Sequence, residues 1–155
     1  MQPVTTLEPM AEAHLEFVFQ CLGELRGAAR YSLSDWTDYV RRHSLIGHPQ
    51  TTIWIGMASG RPVGMLLCNR FAIPHYLGFG YSLDGVVVHP DFQRRGYGEQ
   101  MLRTFLAWAK QDKQIRKVIV KTDDLLRAGK LYEKLFAVTP MTVFSAVNHH
   151  LSAPE

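Results

Sequence analysis

The sequence lacks the extreme features that assign a protein to a class at once. Its two cysteines, Cys21 and Cys68, have no metal or redox spacing, so we expect reduced thiols in a reducing compartment. No apolar run approaches the roughly 20 residues that span a membrane, and no basic stretch followed by an apolar one opens the chain. These absences favour a cytoplasmic protein that has no membrane partner.

Charge of either sign is also scarce. The net charge is +3, with 20% charged and 46% hydrophobic residues. Such a small surplus suits an anionic small ligand and argues against nucleic acid as a partner. The histidines have no ligand spacing, so we expect no metal site. With 155 residues, the chain is predicted to form one domain over residues 1–155.

Hydrophobic periodicity predicts an alternation of helices and strands. A first helix is expected to end near Gly27, and Ser34 is expected to cap a second helix. A third helix is expected after Gly98, and its apolar side chains, including that of Trp108, are expected to be buried. A fourth helix is expected over residues 125–135. The predicted strands are residues 51–58, 63–70, 81–88, 118–121 and 141–148, with an irregular segment over 71–80. This order predicts a mixed sheet with helices on its faces.

The most informative segment joins a strand to a helix through a glycine-spaced loop. The strand ends at Val88, and residues 93–98, Gln-Arg-Arg-Gly-Tyr-Gly, lead into the helix. A helix start has unpaired N–H groups and about half a positive charge, and glycines allow a ligand to approach closely. The arrangement predicts a cradle for a phosphate or pyrophosphate.

Two familiar phosphate-binding loops do not fit this segment. A P-loop ends in Gly-Lys-Ser/Thr, whereas Gly98 is followed by Glu99 and Gln100. A dinucleotide fingerprint needs a third glycine where this chain has Met101. It also needs an acidic residue about twenty positions later, where residues 117–121 are basic and apolar.

The remaining pattern, Gln/Arg-x-x-Gly-x-Gly, resembles the acetyl-coenzyme A loop of the GNAT acyltransferase superfamily. Residues 83–90, Leu-Asp-Gly-Val-Val-Val-His-Pro, resemble the family's fourth strand, and residues 131–136 are similar to its Tyr-Glu-Lys-Leu-Gly-Phe segment. The resemblance implies an α/β (α+β) fold with a mixed, mostly antiparallel central sheet flanked by helices. It also implies an N-acetyltransferase that uses acetyl-coenzyme A and no metal.

The resemblance implies cofactor-binding roles for main-chain groups. In the family the fourth strand splays from its neighbour, which would leave N–H groups of Val86, Val87 and Val88 for the pantetheine arm and the developing oxyanion. A buried strand explains the valines equally well. The pyrophosphate would lie on the loop residues, for which a helix-capping turn is the alternative: Arg94, Arg95, Gly96, Tyr97, Gly98 and Glu99.

Two side chains are candidates for proton transfer. Asp84 is expected on the same strand face as Val86 and Val88, and in many relatives a carboxylate at this position binds or deprotonates the amine. Structural pairing with a buried arginine or amide is the alternative. Tyr132 matches the tyrosine that protonates the coenzyme A sulfur, with simple ring packing as the alternative.

The chain departs from the family pattern near Tyr132. Phe136 stands where the family has a glycine. Asp123 and Asp124 stand where relatives often have an asparagine that contacts pantetheine, which removes the basis for that contact.

The acceptor pocket of GNAT proteins corresponds to a segment rich in aromatic residues. We predict substrate contacts there, with loop packing as the alternative, for Phe71, His75, Tyr76 and Phe79. The expected acceptor is a small-molecule amine. Open alternatives are protein N-termini or lysines, a regulatory module that binds acyl-coenzyme A without turnover, and a toxin that acetylates charged transfer RNA, which would need a more basic face. The sequence leaves the oligomeric state open, a homodimer included.

Overall fold

A computed structural model of the chain describes residues 5–25, 30–121 and 125–137. Its five strands form one sheet in sequence order, antiparallel throughout except for the parallel pair β4–β5. The strands are β1 Thr6–Pro9, β2 Thr51–Ala58, β3 Arg61–Ile73, β4 Gly78–Val88 and β5 Ile115–Val120. The predicted mixed, mostly antiparallel sheet is therefore confirmed.

Four helices cover the two faces of the sheet. They are α1 Leu15–Leu22, α2 Leu33–Arg42, α3 Tyr97–Gln111 and α4 Leu125–Leu135. Buried residues of α1 and α2 pack with Ile55 and Met65 on one face. Residues of α3 and α4 pack with Leu66 and Leu83 on the other. Within the described ranges, no helix combines the length and apolarity needed to cross a bilayer.

Local chemistry corrects several predicted boundaries. The second helix is capped by Ser32 rather than Ser34: the Ser32 hydroxyl accepts from the Asp35 N–H, and the Asp35 carboxylate accepts from the Ser32 N–H. The first helix ends at Leu22, earlier than predicted. Trp108 is 40% exposed rather than buried, and its indole packs at the cluster's edge beside Trp54 and Tyr81.

The β3–β4 hairpin is longer than the sequence predicted. Segment 71–80 was expected to be irregular, but the strands extend to Ile73 and from Gly78, joined by a short 3-10 turn over Pro74–Tyr76. Pairing between the two strands makes this segment regular, although its aromatic- and glycine-rich sequence has no strand pattern. β1 was not predicted because only four residues form it. The predicted strand over 141–148 lies outside the described residues.

Helix α3 is held on the sheet by a side chain that fits between two glycines. Gly56 and Gly64 lie opposite each other on β2 and β3, and Met101 of α3 is fully buried against them. A Cβ atom on Gly64 would lie 2.5 Å from the Val87 carbonyl oxygen and 2.8 Å from Met101 Cε. Glycine at this position therefore sets how closely the helix approaches the sheet.

We predict that Gly64→Ala lowers the free energy of unfolding by about 1–3 kcal/mol, because the new methyl group meets backbone that cannot move aside. Gly23→Ala is the matched control: Gly23 has an ordinary φ of −63°, and its nearest neighbour would be 3.4 Å away. Denaturant unfolding measures both variants. Equal stability of the two would contradict the proposed fit.

Candidate active site

The loop before α3 presents a row of main-chain N–H groups for which the described residues supply no hydrogen-bond acceptor. Gly96 is the N-cap, with a left-handed φ of 81°, and its carbonyl accepts the first helical hydrogen bond, from the Gln100 N–H at 3.1 Å. In the described chain, no backbone or side-chain acceptor binds the N–H groups of residues 94–99. A row of free N–H groups at a helix start can bind an anion.

The two arginines of this loop are available to a ligand. Arg94 has a φ of 63°, a left-handed conformation that is strained for a residue with a Cβ atom. Arg94 and Arg95 are exposed, and neither forms an ion pair with a described residue. Arg95 lies 5.8 Å from the centroid of the Phe92 ring. The loop charge is therefore not neutralised from within the described chain.

The pairing of the strands beside this loop ends before β4 does. The parallel pairing of β4 with β5 stops at Leu83 and Val120, although β4 continues to Val88. Among the described residues, no strand pairs with residues 84–88 on that side, which we call the gap beside β4.

Strand geometry decides which valines present N–H groups to this gap. The His89 N–H donates to the Val63 carbonyl of β3 at 2.9 Å. Because backbone groups alternate along an antiparallel pair, Val87 also faces β3, whereas Val86 and Val88 face away from it. The Val88 carbonyl is already bound by the Gln93 side chain at 3.1 Å. Of the three predicted valines, Val86 and Val88 have N–H groups directed at the gap.

A β-bulge changes the expected orientation of Asp84. Leu67 pairs with Gly85 and Cys68 with Leu83, so Asp84 opposes no residue of β3. The expectation that Asp84 shares a face with Val86 and Val88 is wrong. Those valines pack on the α3 side, whereas the Asp84 carboxylate accepts a hydrogen bond from the Ser82 hydroxyl at 2.7 Å, on the side of α1 and α2. Because of the bulge, the Asp84 side chain lies on the α1–α2 side of the sheet, opposite the side on which Val86 and Val88 pack.

Tyr132 lies on α4 next to the start of α3. The neighbouring Leu131 would be 3.9 Å from a Cβ on Gly98, so α4 contacts the first turn of α3. The Tyr132 ring packs edge-on to Phe136, with centroids 6.3 Å apart, so the phenyl that replaces the family glycine supports this ring. Burial raises the pKa of the Tyr132 phenol, which therefore stays protonated at neutral pH.

Glu99 ties α4 to the loop electrostatically. Its carboxylate binds Lys134 of α4 at 2.7 Å and Arg103, one turn further along α3, at 2.8 Å. The hydrogen bonds from Lys134 and then Arg103 lower the pKa of Glu99. The Glu99 side chain therefore links α4 to α3, while its main-chain N–H is one of the free N–H groups of residues 94–99.

The structure does not bring the four predicted acceptor residues together. Phe71 lies over Gly80, on the Asp84 side of the sheet. Phe79 faces the opposite side, under the Arg70 guanidinium at 3.7 Å. His75 and Tyr76 stack on each other at the hairpin tip, about 20 Å along the strand from Asp84. Only Phe71 of the four is therefore placed on the same face as Asp84.

Sequence reasoning missed the partners of the two carboxylates. Asn69 binds Asp84, and Lys134 binds Glu99, in each case across separate elements. Lys134 was visible as part of the Leu-Tyr-Glu-Lys-Leu segment, but Asn69 had no local signal because its partner is 15 residues away. Among the described residues, no group of three or more His, Cys, Asp or Glu side chains could hold a metal ion.

Solved structures with the same architecture include several acetyltransferases, and one is described as a transcriptional regulator, from Bacillus halodurans C-125, with a TM-score of 0.76 and 19% identity, covering 92% of this chain and 99% of that one. A possible acetyltransferase from Clostridium difficile 630 superposes with a TM-score of 0.75 and 12% identity, covering 94% of this chain and 99% of that one. The aminoglycoside N-acetyltransferase AAC(6')-Iy, solved with CoA, gives 0.71 and 17%, covering 95% and 97%. A ribosomal-protein-alanine N-acetyltransferase from Brucella melitensis biovar Abortus 2308 gives 0.74 and 14%, covering 94% and 99%. No curated protein matches the sequence.

The row of N–H groups beside the end of β4, in a sheet shared with these structures, defines an acyltransferase fold of the GNAT class. The model of the acetyltransferase (GNAT) family matches residues 14–137. The chain belongs to this family.

We predict that Glu99→Gln is less stable than the wild type at pH 7 and that the difference disappears on acidification. A carboxylate with a lowered folded-state pKa stabilises the fold fully above its unfolded value, about pH 4.3, and the contribution is lost as the pH falls through the folded value. Urea unfolding across pH 3–7 measures this difference. Glu133→Gln, on the exposed part of α4, is the control and should be neutral. A pH-independent difference would contradict the ion-pair assignment.

Proposed function

We propose that the protein is an acetyl-coenzyme A-dependent N-acetyltransferase acting on a primary amine of a small molecule. The single observation that carries the proposal is the row of unpartnered N–H groups at residues 94–99 beside the gap between β4 and β5. Membership of the acetyltransferase family supports the same donor. The two buried free thiols agree with a reducing, cytoplasmic location.

The residues present fit coenzyme A. The N–H row would bind the pyrophosphate, and Arg94 and Arg95 would balance its charge. Gly98 lies beside the strand, since a Cβ atom there would make an ordinary contact with Val88 Cγ2 at 3.5 Å, so the loop and the end of β4 are adjacent. The N–H groups of Val86 and Val88 would bind the pantetheine arm and the thioester oxygen.

Asp84 and Tyr132 divide the proton transfers of a direct attack. From the α1–α2 side of the sheet, Asp84 would receive a proton from the acceptor ammonium, directly or through water. The free amine would then attack the thioester carbon, and the strand N–H groups would stabilise the oxyanion. Tyr132, kept protonated by its raised pKa, would give its proton to the departing sulfur, and the second proton of the amine nitrogen would leave through water and restore the phenol.

The small-molecule acceptor is supported by the polar character of the Asp84 side and by structural neighbours. Two aminoglycoside acetyltransferases are among them, at 17% and 14% identity. The protein-directed neighbour, the ribosomal-protein-alanine N-acetyltransferase, makes a protein N-terminus the second candidate.

We expect acetyl-coenzyme A to stabilise the protein against heat. At 100 times the dissociation constant, a ligand that binds only the folded state should raise Tm by about 5–10 °C for a chain of this size. The double variant Arg94→Gln/Arg95→Gln should lose about half of this shift. Arg61→Gln, an exposed arginine at the β2–β3 turn, should retain it. No shift with the wild type at millimolar acetyl-coenzyme A would overturn the proposal.

We expect Tyr132→Phe to lower kcat by roughly tenfold or more, because the leaving thiolate loses its acid. The thermal shift with acetyl-coenzyme A should be unchanged. Tyr39→Phe, an exposed tyrosine on α2, is the matched control. Thiol release is followed with aminoglycosides, diamines, amino acids and peptides as acceptors. Wild-type turnover by Tyr132→Phe would remove Tyr132 from the mechanism. Binding of the donor without turnover of any amine would favour a regulatory module.

A further inference from the structure

We propose that Asn69 is a positioning residue for Asp84, held in place by the hydroxyl of Thr51. The inference rests on the proposed function, in which Asp84 receives the proton of the acceptor ammonium. It concerns the described polar contacts on the α1–α2 side of the sheet.

A chain of short hydrogen bonds ends at Asp84. The Thr51 hydroxyl lies 2.7 Å from Asn69 Oδ1, and Asn69 Nδ2 lies 2.6 Å from Asp84 Oδ2. The Ser82 hydroxyl lies 2.7 Å from Asp84 Oδ1. Each oxygen of the carboxylate therefore receives one donor and keeps lone pairs for a further partner.

The carboxylate at the end of these hydrogen bonds decides which group donates and which accepts in each of them. An ionised carboxylate only accepts, so the Asn69 amide must turn its NH₂ group towards Asp84. Its carbonyl oxygen then faces Thr51, whose hydroxyl must donate. Asp84 thereby decides which way the Asn69 amide is turned, and the Thr51 hydroxyl holds the amide oxygen so that the NH₂ group stays on the carboxylate.

The sheet alone does not orient Asp84. Thr51, Asn69 and Ser82 lie side by side in register on β2, β3 and β4. Asp84 sits in the bulge, opposite no residue of β3, so the pairing leaves its side chain without a cross-strand neighbour in register. The two side-chain donors replace that constraint.

The carboxylate stays accessible and charged neighbours are few. The Asp84 side chain is 31% exposed, which leaves room for an amine or a water molecule. In the described chain, Lys121 after β5 faces it at 3.7 Å. Cys68 on β3 is a neutral thiol, since burial, and then the Asp84 charge, raise its pKa to about 12. The two hydrogen-bond donors are therefore the closest groups that hold the carboxylate.

The test follows Asp84 directly and through turnover. Asn69→Leu removes the donor without adding charge, and Thr51→Val removes only the hydroxyl behind it. Thr52→Val is the matched control, since Thr52 is the next residue of β2 and pairs with Cys68, facing the other side of the sheet. The carboxyl ¹³C resonance of Asp84, identified by its loss in Asp84→Asn, is compared at pH 7 between the variants. The kcat and KM values are measured separately with the best amine of the acceptor panel.

We expect the Asp84 carboxyl resonance to shift in Asn69→Leu, because the carboxylate loses a donor, and kcat to fall by roughly tenfold with little change in KM. Both changes should be smaller in Thr51→Val and absent in Thr52→Val. The thermal shift with acetyl-coenzyme A should stay unchanged. If Asn69→Leu does not fold, Thr51→Val carries the test.

Two results would overturn the positioning role. One is an Asp84 resonance that moves no more in Asn69→Leu and Thr51→Val than in Thr52→Val. The other is a resonance that moves while kcat stays at the wild-type value. Failure of the proposed function is seen separately, as no thermal shift of the wild type with acetyl-coenzyme A or as wild-type turnover by Asp84→Asn. In that case the hydrogen-bond chain remains and its catalytic purpose is refuted.

Discussion

The contact between α3 and the sheet is the constraint on which the rest of the site depends. Met101 is fully buried against Gly56 and Gly64, and a Cβ atom on either glycine would overlap it. The same contact brings the first turn of α3 to Val88, since a Cβ atom on Gly98 would lie 3.5 Å from Val88 Cγ2. A helix start is a general anion site, but only its position beside the end of β4 would suit the proposed donor, in which an extended arm joins a pyrophosphate to a thioester.

Two features of β4 would separate the two proposed substrates. Pairing with β5 stops at Leu83, and the bulge follows immediately at Asp84. The first feature would leave one side of Val86 and Val88 to the extended arm of coenzyme A. The second directs the Asp84 carboxylate to the opposite side of the sheet. In the proposed reaction the donor and the acceptor would approach the same stretch of strand from different sides, which suits a direct transfer without a covalent enzyme intermediate.

The loop over residues 94–99 keeps its positive charge although Glu99 is part of it. Glu99 lies within the first turn of α3, where it would oppose an anionic ligand, but Lys134 and Arg103 bind its carboxylate. The same ion pair holds α4, and with it Tyr132, next to the loop. Arg94 keeps its charge free of described partners. Binding of the donor and placement of the proposed acid thus share one electrostatic contact, and loss of that contact would affect both.

The sequence by itself determined the order of the long elements and the cofactor loop, because both depend on short-range patterns. Helix and strand periodicity, together with the glycines flanking Tyr97, are readable within a few residues. The extension of the β3–β4 hairpin, the bulge at Asp84 and the Asn69 contact were decided only by tertiary structure. A bulge reverses every side chain beyond it relative to simple alternation, and a hydrogen bond between residues 15 positions apart leaves no local trace.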